Sequence, residues 1–245
     1  MENGHLWPLL WWLVVALATI VASAILAQIV QRAVIYQPFV PSREHSCTPA
    51  KYGIDFDNVR IRAADGVSLH GWLLKQPIVS TRAPTVIFCH GNAGNVSGTL
   101  PFAQVLYKLG MNVLLFDYRG FGESSGAPTE AGLKLDLMAA FEFCASCPDA
   151  IDGSKLVLYG RSLGGAVATW GTWALTVGRR PPGARVLAPP CCLILENTFT
   201  SLYGEQYYPA PCPWCCPSQL RVLGCRRYGS PAGTSTVGSA GLCGG

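Results

Sequence analysis

One ten-residue stretch, LVLYGRSLGG (residues 156–165), constrains the fold of this chain more than any other. Its first half is an apolar run typical of a buried strand, and the residues after it can form a helix. Between them, GRSLG fits the pattern G-x-S-x-G, which predicts a sharp strand-to-helix turn with a serine at its top. We therefore predict that Ser162 is an exposed nucleophile. Gly160 and Gly164 are predicted to let the backbone approach closely at this turn.

Short apolar runs alternate with helical patterns along the middle of the chain. Four runs have the composition of strands buried on both faces: PTVIFCHG, MNVLLFDYRG, KLVLYG and CLILEN. Helices are predicted at about Leu100 to Leu109, after an N-cap at Thr129, and at about Leu163 to Ala174. A β-hairpin around Asp65-Gly66 precedes them. This order predicts an α/β fold with a doubly wound, mainly parallel sheet that is truncated after its sixth strand.

The N-terminal stretch from Leu6 to Ala27 carries no charge. As a helix it is long enough to cross the roughly 30 Å core of a bilayer, so we predict a single-pass membrane anchor. A cleaved signal peptide, with Ala22 and Ala24 near the cleavage site, and a buried soluble helix are the alternatives. Arg32 follows the span, and by the positive-inside rule it favours a cytosolic main domain.

Charge and cysteine content exclude two classes of protein. The net charge is +4, and the basic residues are scattered, so no phosphate-binding run is present and no nucleic-acid partner is expected. The chain has 11 cysteines, and an odd number argues against a complete disulfide framework.

A serine nucleophile in an acyl-transfer site also needs backbone N–H donors for the tetrahedral oxyanion. One donor is usually the amide after the nucleophile, here that of Leu163, and the other comes from the loop after the third strand. In FCHGNAGN that loop follows a buried strand, and we assign the second donor to the N–H of Asn92. Gly91 would let the loop lie close beneath the serine. We interpret His90 as a residue that orders this loop.

Four motifs occur in order: HGNAGN, NVLLFDYRGFGESSGAPTEAGL, LVLYGRSLGGAVA and LILENTFTSL. Together they resemble the membrane-anchored α/β-hydrolase-domain serine hydrolases of the bud-emergence type, relatives of the serine aminopeptidase-like hydrolases. The resemblance covers about Gln31 to Ala174 and resumes over Leu193 to Leu202. It implies a hydrolase of small acyl esters or acyl-protein thioesters with Ser162 as nucleophile. It also implies that Asp117 and Arg119 mainly fix the loop after the fourth strand.

The triad of this fold follows the chain order serine, acid, histidine. All histidines of the printed sequence precede Ser162: His5, His45, His70 and His90. The downstream carboxylates are Glu196 and Glu205. Glu196 could supply an acid at the end of the sixth strand, but an acid without a histidine to orient has no catalytic partner.

Three interpretations follow from the missing histidine. The chain is interpreted first as an incomplete or alternatively spliced hydrolase product, inactive as written, for which we expect no measurable ester or thioester hydrolysis. A noncatalytic membrane-bound pseudoenzyme or interaction protein is the second interpretation. An enzyme that draws its base from elsewhere, such as His90, is the third.

The last part of the chain changes in composition. Residues 203–245 are rich in proline, cysteine and glycine and show no regular period, so we predict a tail that is disordered or non-native to the fold. Its CPWC segment fits a C-x-x-C zinc or redox motif, but without a downstream histidine we predict no metal and no cofactor. The predicted domains are an anchor over 1–32, a partial α/β-hydrolase domain over 33–202, and this tail.

Overall fold

A computed structural model describes residues 6–77, 82–178, 187–198 and 220–223 of the chain. The chain divides after Gln37 into an N-terminal helical unit and a larger α/β unit that begins at Pro38. The division lies beyond the predicted boundary at residue 32 because the N-terminal helix continues to Ile35.

The N-terminal unit consists of one long helix, α1, which runs over Leu6–Ile35. Many of its large apolar side chains are more than half exposed, among them Trp11, Ile20 and Ile29. The stretch Leu10–Ile35 is long and apolar enough to cross a membrane, by length and composition. A signal sequence passes the same test. The predicted apolar helix is therefore present. It continues past its predicted end at Ala27, because the residues that follow include no glycine or proline to stop a helix before Pro38.

The α/β unit is built on one seven-stranded sheet with the order β1-β2-β4-β3-β5-β6-β7. The strands are β1 Asp57–Arg62, β2 Ser68–Leu74, β3 Thr85–Cys89, β4 Asn112–Phe116, β5 Leu156–Arg161, β6 Cys192–Glu196 and β7 Leu220–Leu223. The central pairs β4–β3, β3–β5 and β5–β6 are parallel. The pairs β1–β2, β2–β4 and β6–β7 are antiparallel. Five of the seven strands run in the same direction, with β2 and β7 reversed, so the predicted hairpin and mainly parallel sheet are confirmed.

Helices cover both faces of this sheet. The helices are α2 Leu100–Lys108, α3 Glu130–Ser146 and α4 Leu163–Thr176. In β3, Val86 and Phe88 belong to the core cluster that contains the buried residues of α2. On the opposite face, a Cβ added at Gly171 of α4 would meet the side chains of Leu137 in α3 and Leu158 in β5. Since neighbouring strand residues point to opposite faces, the sheet is doubly wound, as predicted.

Thr129 confirms one local prediction. It lies just before α3 in an extended conformation. Its Oγ1 accepts a hydrogen bond from the N–H of Gly132 at 3.0 Å. This bond satisfies one of the amides that lack an acceptor in the first turn of a helix, so Thr129 is the N-cap that its sequence context indicates.

The tail contains one strand that the sequence pattern did not predict. Its four residues form β7, which pairs with β6 in the register Leu193↔Leu223 to Glu196↔Leu220. The sheet therefore continues by one antiparallel strand past the predicted sixth. The rest of residues 203–245 lies outside the described residues, and the predicted disorder there stays a prediction.

Candidate active site

Ser162 forms the junction between β5, which ends at Arg161, and α4, which begins at Leu163. Its backbone has φ 51° and ψ −118°. Residues other than glycine rarely adopt a positive φ, and such strain is concentrated at functional sites. The strand thus passes into the helix through a single residue, and the side chain of Ser162 is partly exposed. This is the strand–turn–helix arrangement that G-x-S-x-G predicts.

Two glycines allow this sharp turn. A Cβ at Gly160 would lie 2.5 Å from the carbonyl oxygen of Gly164. A Cβ at Gly164 would overlap the carbonyl group of Cys89 and lie 2.5 Å from the carbonyl oxygen of His90. In both cases the obstacle is backbone, which cannot swing aside as a flexible side chain can. Only hydrogen fits at these two positions.

Three hydrogen bonds hold the backbone of Ser162. Its N–H donates to the carbonyl oxygen of Glu196 at 2.9 Å, and its own carbonyl oxygen accepts from the N–H of Gly165 at 2.9 Å. The hydroxyl of Thr198 donates to the same carbonyl oxygen at 2.9 Å. The unusual backbone conformation is therefore fixed from β6 on one side and from α4 on the other.

The loop after β3 reaches the serine. A Cβ at Gly91 would lie 3.9 Å from the Cβ of Ser162. Asn92 follows it and is partly exposed. Leu163 is the first residue of α4, so its N–H has no acceptor within the helix. β3 and β5 are parallel neighbours, and the two predicted oxyanion donors follow them in the chain. Both donors therefore lie at the carboxyl-terminal ends of the strands.

His90 is buried, with 1% of its surface exposed, and its ring packs against Tyr118 and Phe121. Its Nδ1 lies 2.8 Å from the carbonyl oxygen of Gly91, and its Nε2 lies 3.4 Å from the N–H nitrogen of Tyr118. A neutral ring that donates through Nδ1 and accepts at Nε2 satisfies both contacts. Burial lowers the pKa of His90, although the charge of Asp117 opposes this shift.

The His90 contact also orients the predicted oxyanion loop. The peptide between Gly91 and Asn92 is planar and trans, so its carbonyl oxygen and its N–H point in opposite directions. Because the carbonyl oxygen of Gly91 faces His90, the N–H of Asn92 points away from that ring. His90 thus contacts the carbonyl group of Gly91 in this loop, and its role as a loop-ordering residue stays a prediction.

Asp117 lies directly after β4 and is fully buried. Its Oδ2 is 2.8 Å from Nε2 of His45 and 3.4 Å from Nδ1 of His70. Its Oδ1 accepts a hydrogen bond from the N–H of Val96 at 2.8 Å. Burial alone would raise the pKa of Asp117, but the hydrogen bonds from the two histidines and the nearby His90 lower it to about 2. Asp117 thus joins the β3–α2 loop to β2.

Arg119 forms a second polar network. Its Nη1 and Nη2 lie 2.6 and 3.1 Å from the carboxylate oxygens of Asp65 in the hairpin turn. Its Nε donates to Asp136 of α3 at 2.9 Å, and its backbone N–H donates to the same carboxylate at 2.9 Å. These contacts tie the hairpin and α3 to the loop after β4, in agreement with the structural role that the resemblance implies.

The side chain of Glu196, considered above as an alternative acid, has other partners. The hydroxyl of Tyr159 donates to its Oε2 at 2.6 Å, and Nε of Arg161 lies 3.6 Å from its Oε1. Burial and the Glu196 carboxylate raise the pKa of Tyr159. Among the described residues, the contacts of this carboxylate include no histidine.

Sequence reasoning missed the contacts made by the connector over residues 42–46. The guanidinium of Arg43 donates to the carbonyl oxygens of Gly122 and Ser124 at 2.7 and 2.8 Å. The side-chain amide of Asn95 lies within hydrogen-bond distance of three successive connector carbonyls, those of Ser42, Arg43 and Glu44. No local spacing signals these pairs, because their partners lie far apart in sequence.

The chain is similar to known proteins over the same region. A profile of the α/β hydrolase fold family matches residues 84–171. The protein bem46 of Schizosaccharomyces pombe is 40% identical over 70% of this chain and 54% of its own length. The α/β hydrolase domain-containing protein WAV2 of Arabidopsis thaliana is 36% identical over 75% of this chain and 56% of its own. The chain thus spans about half the length of these curated relatives.

Solved structures agree with the fold. An esterase of Pyrococcus furiosus superposes with a TM-score of 0.50 and 25% identity, covering 63% of this chain and 56% of that one. The strand–turn–helix at Ser162, the sheet and these similarities show that the chain has the α/β hydrolase fold. The likeness to bem46 and WAV2 confirms the resemblance to the bud-emergence type.

Proposed function

We propose that this chain carries the nucleophile half of a serine hydrolase site for small acyl esters or acyl-protein thioesters. Ser162 would form the bond to the acyl carbon, and the N–H groups of Asn92 and Leu163 would stabilise the oxyanion. The observation that supports this most is the positive φ of Ser162 at the start of α4, beside Gly91. The substrate class comes from the resemblance and from the esterase to which the chain is similar.

Attack by Ser162 requires a base to take its proton, and the same group must later return a proton to the leaving group. The printed sequence has no histidine after Ser162, and both ring nitrogens of His90 have backbone partners, namely the carbonyl oxygen of Gly91 and the N–H of Tyr118. We therefore propose that the chain as printed does not turn over acyl substrates at a measurable rate. The oxyanion donors alone would leave an acceleration of about 10³-fold over water.

A noncatalytic interaction protein is the second candidate. The engagement of Glu196 by Tyr159 and Arg161 favours it, because this carboxylate is then unavailable to orient a base. In that case the turn at Ser162 would be part of the fold but would have no catalytic role. The two candidates differ in whether the site still stabilises negative charge at the position of the serine side chain.

A thiol in place of the serine hydroxyl tests for that charge stabilisation directly. We expect the thiol of a Ser162→Cys variant to have a pKa at least about one unit below the ordinary value of 8.5, because a helix N-terminus and free amide donors stabilise a thiolate. The pH dependence of alkylation by iodoacetamide, resolved by peptide mass spectrometry, measures it.

Thr176→Cys is the matched control, since Thr176 is the exposed last residue of the same helix. At that end the helix dipole disfavours a thiolate, so the thiol pKa is expected at or above about 8.5. Equal pKa values at the two positions would contradict the proposed oxyanion site, whether or not the chain turns over a substrate.

We also propose that α1 anchors the protein in a membrane with the hydrolase unit on the cytosolic side. The full-length chain is expected to stay in the membrane pellet during carbonate extraction. Introducing arginine at Leu17 and Ile20 costs about 2.5 to 3.5 kcal/mol per residue at the centre of a span, so this double variant should move to the supernatant. Leu17→Ile is the control, and this variant should stay in the membrane pellet. Release of the unaltered chain, or a mature protein that begins near Ala24, would contradict the anchor.

A further inference from the structure

Four titratable side chains form a cluster that the proposed reaction at Ser162 does not use. It consists of His45 in the connector, His70 in β2, Asp117 after β4 and Glu123 in the following loop. We refer to these four residues as the histidine–carboxylate cluster. The rings of His45 and His70 lie with their centroids 4.8 Å apart and 35° between their planes.

Asp117 holds both imidazoles of this cluster by one nitrogen each. Its Oδ2 lies 2.8 Å from Nε2 of His45 and 3.4 Å from Nδ1 of His70. A histidine that binds a metal almost always donates its other ring N–H to a carboxylate or carbonyl, which fixes the tautomer and the direction of the free nitrogen. A single buried carboxylate provides this support for two histidines here.

The second ring nitrogen of each histidine is not held by Asp117. Nδ1 of His45 lies 3.5 Å from Oε1 of Glu123. His70 is fully buried, and among the described residues its Nε2 has no hydrogen-bond partner. A buried polar atom without a partner costs about 1 to 3 kcal/mol, so a native site that contains one needs an explanation such as a bound ion.

We propose that His45, His70 and Glu123 bind a zinc ion, with Asp117 as the supporting carboxylate of both histidines. One ligand atom from each of the three lies within 4.8 Å of the other two. Ligand atoms around a tetrahedral zinc ion are about 3.4 Å apart, given bond lengths near 2.1 Å. Bringing the three ligand atoms to this spacing would require small side-chain shifts, for which the 52% exposed side chain of Glu123 leaves room.

The donor set fits zinc better than the other common cations. Imidazole nitrogens suit zinc and related transition metals, whereas magnesium and calcium prefer oxygen ligands. Two histidines and one carboxylate leave a fourth position for water, and Glu123 is the solvent-exposed member of the cluster. The ion would join the connector, β2 and the loop after β4. The proposal does not depend on chemistry at Ser162.

An alternative occupant of the cluster is a proton. A protonated His45 between the carboxylates of Asp117 and Glu123 would also satisfy its two contacts, at 2.8 and 3.5 Å. This alternative leaves Nε2 of His70 without a partner and predicts no uptake of metal. The two possibilities are therefore separated by a direct measurement of zinc binding.

The test uses the full chain in detergent, stripped of metal and titrated with zinc. The tail cysteines could also bind zinc, so Cys212→Ser and Cys215→Ser are combined as the background variant. We expect this background to retain one zinc per chain. Cobalt substituted for zinc should show d–d absorption without the thiolate charge-transfer band that cysteine ligands produce.

Glu123→Gln is the decisive variant because Glu123 is exposed and its ion pair with Arg60 is on the surface, so the fold should persist. It is expected to weaken zinc binding by roughly 10- to 100-fold. Glu44→Gln, on the exposed part of the same connector, is the matched control and should bind zinc unchanged. Absence of zinc from the background variant would overturn the proposal. So would a zinc affinity that Glu123→Gln does not alter.

Discussion

Replacing the residues after Leu202 with the segment of a related hydrolase that carries the acid and the histidine is expected to create a working esterase. The rate of hydrolysis of a short acyl thioester should rise by on the order of 10⁶-fold, since removing a serine or a histidine from a triad costs about that factor in kcat. The reason is that, in the proposed function, β5, α4 and the loop after β3 already position Ser162 and the proposed oxyanion donors Asn92 and Leu163. The measurement is thioester turnover by the purified chimaera beside the printed chain.

Ser162→Ala in the chimaera should abolish this gain, because the new base would have no hydroxyl to activate. Ser146→Ala, at the exposed end of α3, is the control that should leave the rate unchanged. Efficient hydrolysis by the printed chain, lost on Ser162→Ala, would contradict the proposed inactivity and point to a base such as His90. A chimaera whose activity survives Ser162→Ala would instead show that another residue is the nucleophile.

Gly164→Ala is expected to destabilise the hydrolase unit by about 4 kcal/mol, which is a large share of the 5 to 15 kcal/mol that a typical domain has. The added methyl group would overlap the carbonyl group of Cys89 and press on that of His90, and both are backbone. To relieve this overlap, α4 would have to move away from β3. The loss of stability is measured by urea titration of the full chain in detergent, with resistance to proteolysis as the signal of the folded state.

Gly153→Ala is the matched control for this prediction. A Cβ at Gly153 would have no atom within 4 Å, so its effect should stay within about 0.5 kcal/mol. Equal urea midpoints for the two variants would show that α4 and β3 are not in the close contact described above. A loss at Gly164 alone would support the tight turn around Ser162.

The sequence predicts most of the fold because the relevant signals are local. Short continuous apolar runs identify β3, β4 and β5, and Thr129 is recognised as a cap from the residues that follow it. Ser162 is found for the same reason, since strand, glycines and helix are adjacent in the chain. Such patterns report what a segment buries and how its backbone turns, and neither depends on a distant partner.

The contacts that sequence reasoning missed are those between distant segments. His45 meets Asp117 across 72 positions, and Arg43 meets Gly122 across 79. A lone histidine in a polar connector has no periodicity that points to its partner. The strand β7 was missed for a related reason, because a four-residue segment becomes a strand only when a neighbouring edge offers hydrogen bonds.

The pairing of β7 with β6 means that the outer edge of the sheet can have only one occupant at a time. From Leu193 to Glu196, β6 faces β7 residue by residue, and each edge amide or carbonyl group can serve a single neighbouring strand. Any other segment that extends the sheet there, including one supplied by a separate chain, has to displace β7 first. Competition with β7 therefore sets the affinity that such a segment must exceed before it can add to the sheet at β6.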